Sequence, residues 1–97
     1  MHALVLTYGL RGIDAAQHAE LSEQLAPALA AFPGLVSRTP LENAAAGRYG
    51  AVFVFDSRAA FERFVASELY AATYAHDGLG ELTASDFSIL QRGRDPQ

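Results

Sequence analysis

Three residue types are missing from this chain of 97 residues: cysteine, tryptophan and lysine, all seven basic residues being arginine. Without cysteine the chain has no disulfide, no thiolate nucleophile, no iron–sulfur cluster and no cysteine-ligated zinc. Without lysine it cannot form a Schiff base with a carbonyl substrate.

Positive charge and long apolar runs are also scarce. The formal net charge is −4 and no basic run exists, so a nucleic acid is not an expected partner. No apolar run approaches the ~20 residues of a transmembrane helix, and no basic segment precedes the first apolar stretch, as a signal peptide requires. We therefore expect a cytoplasmic protein with no membrane partner.

The chain is short for the apolar material that it carries. Hydrophobic residues make up 51% of it, whereas a domain of this size hides only roughly 60–65% of its unfolded surface. We predict one domain over residues 1–91 and a charged tail over residues 92–97. A partner surface would cover the excess apolar area.

Strand-like and helical segments alternate in the order β-α-β-β-α-β. Strands are predicted at residues 3–8, where Gly9 stops the first, and at residues 35–42, 49–55 and 81–90. This order is typical of a ferredoxin-like α+β domain, in which a four-stranded antiparallel sheet carries both helices on one face.

Both predicted helices have N-cap residues and an apolar stripe. Asp14 and Gln17 match a capping box, and Ser57 caps the second helix. Pro27 should kink the first helix or unravel a turn, and Ser67 should start a new turn or a second short helix. The stripes consist of His18, Leu21, Leu25, Leu29 and Phe32, and of Phe61, Phe64, Val65 and Leu69.

The segment GRYGAVFVF, residues 47–55, decides how the sheet must pack. A strand follows the glycines of this segment, whereas a phosphate loop leads into the N-terminus of a helix, so the segment is not a phosphate loop. Gly47 is predicted to lie in a turn, and Gly50 to permit a close backbone approach or a bulge. Pro40 predicts that the strand at residues 35–42 lies at an edge or carries a bulge. Residues 51–55 are apolar without a break, although a strand with one free face should alternate. We therefore predict a homodimer through the open sheet face.

Several stretches resemble the dimeric α/β-barrel superfamily, and more closely the small YdhR-like mono-oxygenases, relatives of the antibiotic-biosynthesis monooxygenases. They are FPGL at residues 32–35, residues 47–55 followed by a helix cap, and the broken second helix. The QLAP stretch at residues 24–27, with its mid-helix proline, adds to them. The resemblance covers roughly residues 3–90.

The resemblance implies a pocket between the sheet and the helices, and oxygenation of phenolic or anthrone-like rings without metal or flavin. In that chemistry the deprotonated substrate supplies electrons to O2, while the protein positions the ring, removes a proton and stabilises the anion. Relatives carry tryptophans in the second strand, where this chain has Ser37 and Pro40. We therefore predict the substrate only as a small aromatic or polyketide-like metabolite.

Two histidines are candidate bases. His18 lies on the stripe of the first helix, where an imidazole could act at a pocket rim; a packed, hydrogen-bonded role is the alternative. His76 follows the second helical region. The predicted pocket lining is Tyr8, Leu21, Phe53, Phe55, Tyr70, Thr73 and Tyr74, of which the last three could equally serve a dimer interface.

Arg38 and Arg48 are candidate anion stabilisers for a phenolate or a superoxide-like species. Ion pairs at the surface or at an interface are the alternative. Asp86, in the middle of the last predicted strand, could pair with either arginine.

No metal site is predicted, because His2, His18 and His76 fall on separate elements without the spacing of a metal motif. No cofactor is predicted either, with haem as the alternative, since some dimeric α/β-barrel proteins bind it and one histidine suffices as axial ligand.

The leading functional hypothesis is therefore a cofactor-independent mono-oxygenase. The alternatives are a non-catalytic dimeric α/β barrel that binds a small ligand, and an isomerase or cyclase on the same scaffold, which needs only acid–base groups.

Overall fold

The chain folds in the predicted order, with the second helical region divided in two. A computed structural model describes residues 1–74 and 78–90; the predicted tail at 92–97 lies outside them. The elements are β1 (His2–Leu10), α1 (Ala15–Ala30), β2 (Leu35–Asn43), β3 (Arg48–Phe55), α2 (Arg58–Val65), α3 (Glu68–Tyr74) and β4 (Leu79–Ser88). In this part of the chain, none of the helices has the length and apolarity that crossing a bilayer requires.

The four strands form one antiparallel sheet in the order β2-β3-β1-β4. This is the predicted ferredoxin-like α+β fold. Pro40 lies on β2, which is an edge strand as predicted, and an edge tolerates a residue without a backbone N–H. A bulge between Leu35 and Ser37 shifts the pairing of β2 with β3.

The first strand extends past its predicted stop. Gly9 and Leu10 pair with Gly80 and Leu79 of β4, after a register shift that follows Thr7. β1 therefore ends at Leu10, and β4 starts earlier than the sequence predicts, because the cross-strand hydrogen bonds outweigh the weak strand preference of glycine.

Helix α1 begins at the predicted capping box. The Asp14 carboxylate accepts from the Gln17 N–H at 2.8 Å, and the Gln17 side chain accepts from the Asp14 N–H at 2.9 Å. The helix continues without a break through Pro27 to Ala30, so the expected unravelled turn is absent. Only the last turn follows the proline, and the Pro27 carbonyl still accepts from the Ala31 N–H at 3.1 Å.

The second helical region divides at Ser67, as predicted. The Ser67 hydroxyl accepts from the Tyr70 N–H at 3.1 Å and donates to the Phe64 carbonyl at 2.6 Å. One side chain thus ends α2 and starts α3, and this second start brings Tyr74 over the sheet.

The core lies between the sheet and the helices. Its largest fully buried side chains are Leu4, Leu6, Leu29, Phe53, Phe55 and Phe64. The Phe64 ring of α2 packs on the two phenylalanines of β3, with ring centroids 5.0 and 5.3 Å apart. Burying each such side chain contributes about 1.5–3 kcal/mol relative to leaving it exposed.

The two faces of β3 divide as predicted. Ala51, Phe53 and Phe55 face the helices and are fully buried, whereas Val52 and Val54 point to the open face and are half-buried. The open face, defined by its exposed or half-buried apolar side chains, consists of Ala3, Val5, Leu41, Val52, Val54 and Phe87.

The two glycines before this run serve backbone roles, as predicted. Gly47 has φ 66° and ends a short 3₁₀ turn at Ala44–Ala46, a conformation that favours glycine. At Gly50 a Cβ atom would lie only 2.0 Å from the Leu6 carbonyl oxygen. Strands β1 and β3 can approach each other there only because Gly50 has no side chain.

Candidate functional site

A cavity of about 80 Å³ lies between the sheet and helices α1 and α3. Its lining consists of Tyr8, Ile13, His18, Leu21, Ser22, Leu25, Leu29, Arg38, Ala72, Thr73, Tyr74 and Leu79. Most of this wall is apolar, and none of the aspartates and glutamates that the structure describes belongs to it. Its polar groups come from four different elements.

Tyr8 and His18 form a hydrogen-bonded pair at this cavity. Tyr8 follows the alternation of β1 onto the helix side and is buried, while His18 lies one turn into α1. The Tyr8 hydroxyl and the His18 Nε2 are 2.8 Å apart. The Tyr49 ring packs against the imidazole, with centroids 5.0 Å apart, and holds it against the strands.

The surroundings of this pair set its protonation. Burial lowers the pKa of His18 below 6.5, and the positive charge of Arg38 lowers it further, against a smaller opposing effect of Glu42. Burial raises the pKa of Tyr8 to about 12, with Tyr74 acting in the same direction and Arg38 against it. Near neutral pH the imidazole is therefore neutral and the phenol keeps its proton, so the hydroxyl can donate to Nε2.

Arg38 reaches the same cavity from the edge strand β2. Its Nη2 donates to the Ser22 hydroxyl at 3.0 Å and to the Tyr74 hydroxyl at 3.5 Å, and its guanidinium carbon lies 6.0 Å from the Phe53 ring centroid. The Nε–H is buried and has no hydrogen-bond partner among the described residues.

The bulge in β2 decides where Arg38 points. Leu35 pairs with Phe55 and Arg38 pairs with Phe53, both of which face the helices. The two β2 positions are three apart in the sequence, and regular alternation would put them on opposite faces. The extra residue in the bulge therefore turns Arg38 toward the cavity.

Helix α3 closes the other side of the cavity. Burial raises the pKa of the Tyr74 hydroxyl, and its hydrogen bond to Arg38 opposes that shift. The Thr73 hydroxyl donates to the Leu69 carbonyl at 2.7 Å, so it is tied to the helix backbone. Tyr70 packs between Tyr74 and Phe64 and does not belong to the lining.

An open groove of about 380 Å³ adjoins the cavity between α1 and β2. It shares His18 and Ser22 with the cavity, and Glu23 and Glu42 also line it. A ligand could therefore extend from the cavity past the imidazole into the groove.

Six of the residues that the sequence predicts for the site line this one cavity: Tyr8, His18, Leu21, Arg38, Thr73 and Tyr74. Phe53 and Phe55 lie in the core instead, where they are fully buried. His76 lies outside the described residues.

The other predicted arginine lies on the opposite side of the sheet. Arg48 donates to the Thr7 hydroxyl at 3.2 Å and pairs with Glu81 at 3.5 Å, and Thr7 points to the open face. Arg48 is therefore not part of the cavity.

The predicted pairing of Asp86 with an arginine is wrong. Its carboxylate lies 2.6 Å from the His2 Nε2 instead. Asp86 is on edge strand β4, and two strands separate it from Arg38 on the other edge. Asp86 pairs with Leu4 on the face opposite to Arg48.

Ser22 is the polar site residue that sequence reasoning missed. It lies four residues after His18 and therefore on the same helical face, which was the available signal. A lone serine in a helix gives no further indication of function, and its contact with Arg38 depends on the packing of α1 against β2.

Comparison with known proteins gives the family. The model of the family described as "Putative mono-oxygenase ydhR" matches residues 4–94. The chain belongs to the ydhR family. No curated protein matches it significantly.

Solved structures support the fold of this ydhR family member. A mutant of SnoaB, a cofactor-independent oxygenase from Streptomyces nogalater, is 24% identical over 93% of each chain, with a TM-score of 0.71. A putative antibiotic biosynthesis monooxygenase from Deinococcus radiodurans is 16% identical over 94% of each chain, with a TM-score of 0.78. A mutant of MhuD, with two manganese protoporphyrin IX bound per active site, is 16% identical over 93% of this chain and 95% of that one, with a TM-score of 0.72. At these identities the likeness shows the fold alone.

The cavity by itself, as the described residues form it, is too small to enclose a porphyrin. The cavity of about 80 Å³ is well below the ~300–1,000 Å³ of pockets that enclose drug-sized ligands. The His18 Nε2, which could bind a central metal, is already hydrogen-bonded to Tyr8. Within residues 1–74 and 78–90, no cluster of three or more histidines and carboxylates could hold a metal ion.

Proposed function

We propose that this ydhR family member is a cofactor-independent mono-oxygenase of a small aromatic metabolite. The observation that carries the proposal is the 2.8 Å contact of Tyr8 with His18 at a cavity that Arg38 also reaches. A proton acceptor and a cation beside one cavity are the groups that deprotonation of a phenolic substrate requires.

Tyr8 and His18 act together as the base. A substrate hydroxyl donates to the Tyr8 oxygen while Tyr8 passes its own proton to the His18 Nε2. The substrate becomes an oxyanion and His18 becomes imidazolium. Tyr8 remains neutral throughout, because its pKa of about 12 makes ionisation of its hydroxyl unfavourable. The Arg38 guanidinium stabilises the new negative charge.

The oxidation then draws its electrons from the substrate. The carbanion form of the ring transfers an electron to O2, and the two radicals combine to a peroxide anion. The His18 imidazolium returns its proton through Tyr8 to give the hydroperoxide. Loss of water leaves a carbonyl, so one oxygen atom enters the product, the other leaves as water, and a CH2 group is oxidised to C=O. The protein contributes the proton transfer and the position of the ring.

Oxygen uptake tests this proposal. After metal chelation, the purified protein is incubated with anthrones and naphthoquinols, and O2 consumption and products are recorded. We expect protein-dependent uptake that falls by about 10²–10⁴-fold in His18→Gln, that falls in Tyr8→Phe, and that persists in Arg48→Gln, which alters the opposite face. Absence of uptake by the wild-type protein would refute the proposal for these substrates.

A non-catalytic ligand-binding role is the second candidate. The cavity of about 80 Å³ is smaller than the ~150 Å³ cavity that encloses one benzene ring, so a ring enters only in part unless the walls move. Binding without oxygen uptake would favour this role, and a rearranged product formed under anaerobic conditions would favour an isomerase or cyclase.

We further propose that a second copy of the chain covers the open face. Phe87 is 58% exposed there and Leu41 37%, and both flank the half-buried valines of the central strands. Burying such an apolar face against its own copy is a common way to form a two-fold dimer.

Sedimentation velocity tests the dimer. Val52→Glu should dissociate it, whereas Ala16→Glu, on the exposed side of α1, should not. A wild-type monomer of 10.4 kDa at micromolar concentration would contradict the dimer.

A further inference from the structure

Arg38 is a cation without an anionic partner in the described part of the chain. The described residues contain three ion pairs, and Arg38 takes part in none of them. Its neutral partners are the Ser22 and Tyr74 hydroxyls, and its buried Nε–H has none. Arg38 is half-buried and its charge is only partly solvated, so a binding partner of opposite charge would be favoured.

The cavity wall suits that partner. Among the described residues, no aspartate or glutamate lines the cavity, although the chain as a whole carries a net charge of −4. Guanidinium and hydroxyl donors together match an oxyanion, and charge-assisted hydrogen bonds of this kind are about twice as strong as neutral ones.

Size and charge also orient the ligand. The cavity of about 80 Å³ has room for a small polar head, and the adjoining groove of about 380 Å³ has room for a ring system. Glu23 and Glu42 line the groove, so they would repel a negative group placed there. The anionic end therefore belongs inside, beside Arg38.

We propose that the ligand is an aromatic carboxylate whose oxyanion binds to Arg38, Ser22 and Tyr74, with its ring lying past His18 in the groove. An aromatic oxyanion formed from a phenol shares this chemistry. That this ligand is also the substrate rests on the proposed function. That an anionic ligand binds here does not, because it is argued from the Arg38 charge and the cavity alone.

Binding of matched probes tests the inference without any turnover. The probes are 2-naphthoate, its neutral amide 2-naphthamide, and 2-naphthol, titrated at neutral pH and followed by amide chemical shifts of the labelled protein. We expect 2-naphthoate to bind at least about tenfold more tightly than 2-naphthamide, and Arg38→Gln to remove that difference. Arg48→Gln, which removes an equal charge from the opposite face, should leave it in place.

Each outcome decides the matter. Equal affinity for 2-naphthoate and 2-naphthamide, or no binding of 2-naphthoate, overturns the inference even if Arg38→Gln fails to fold. A preference that persists in folded Arg38→Gln overturns it too. Binding of 2-naphthol as tight as that of 2-naphthoate, and dependent on Arg38, supports the oxyanion site and identifies a phenolate as its ligand. Because these binding measurements involve no consumption of O2, the oxygenase proposal can fail while this inference holds. This inference can likewise fail while the oxygenase proposal holds.

Discussion

Replacing Gly50 by alanine should destabilise the protein more than any surface substitution. The new Cβ would lie 2.0 Å from the Leu6 carbonyl oxygen and 3.2 Å from the Thr7 Cα. Because carbon–oxygen contacts between strands are usually no closer than roughly 3.3 Å, β1 and β3 would have to separate locally by about 1 Å. Both partners are backbone in the two central strands, so neither can rotate away.

The expected loss follows from that separation. Overpacking costs about 1–3 kcal/mol, and each ladder hydrogen bond that is stretched beyond its range costs a further ~0.5–1.5 kcal/mol. We expect Gly50→Ala to lower the free energy of unfolding by about 3 kcal/mol. For a domain of this length the loss corresponds to a fall in Tm on the order of 10–20 °C.

Urea unfolding followed by far-ultraviolet circular dichroism measures this loss, at one fixed protein concentration because a dimer would make stability concentration-dependent. Gly9→Ala is the matched control: Gly9 is also a strand glycine, but the atoms nearest to its added Cβ are 3.7 Å or more away. It should change stability by less than about 0.5 kcal/mol. If Gly50→Ala also stays within that range, the close approach of the strands does not limit this fold.

Three further substitutions test other contacts. Asp14→Ala should lower the free energy of unfolding by about 1 kcal/mol through loss of the N-cap, and Asp14→Asn, which keeps an acceptor, should restore most of it in urea unfolding. Asp86→Ala should cost about 1–3 kcal/mol by the same measurement, because it leaves the buried His2 without its partner; a loss as large in Asp86→Asn would contradict this explanation. Arg38→Gln should raise the pKa of His18 toward 6.5, since it removes a positive charge that disfavours imidazolium, and an unchanged or lower value in an NMR titration of the imidazole would contradict it.

Local sequence features predicted the elements of this fold well. The capping box at Asp14, the second start at Ser67 and the apolar run over residues 51–55 each depend on neighbours within a few positions, and each appears as predicted. The ends of β1 and β4 could not be predicted from local sequence, because they are held by pairing between strands that are far apart in the chain. The pairing of Asp86 was missed for the same reason.

The candidate site shows where sequence reasoning ends. Composition and pattern indicated that His18, Tyr8 and Arg38 carry suitable chemistry. They did not distinguish Arg38 from Arg48, because both were equally good candidates for stabilising an anion. A single bulge separates the two arginines, since it turns Arg38 toward the cavity while Arg48 follows regular alternation to the open face. Pro40 indicated an edge position or a bulge for β2, but the position of the bulge, between Leu35 and Ser37, depends on the fit of two whole strands.

By itself, then, the sequence determined the ferredoxin-like order of elements, the apolar character of both faces of β3 and the few residue types able to act on a ligand. The tertiary structure alone decided that Tyr8 and His18 share a hydrogen bond and that Arg38 lies beside them with no counter-ion in residues 1–74 and 78–90. Periodicity determines local conformation and the face of each element. Contacts between distant elements depend on register and packing, which only the assembled sheet and helices define.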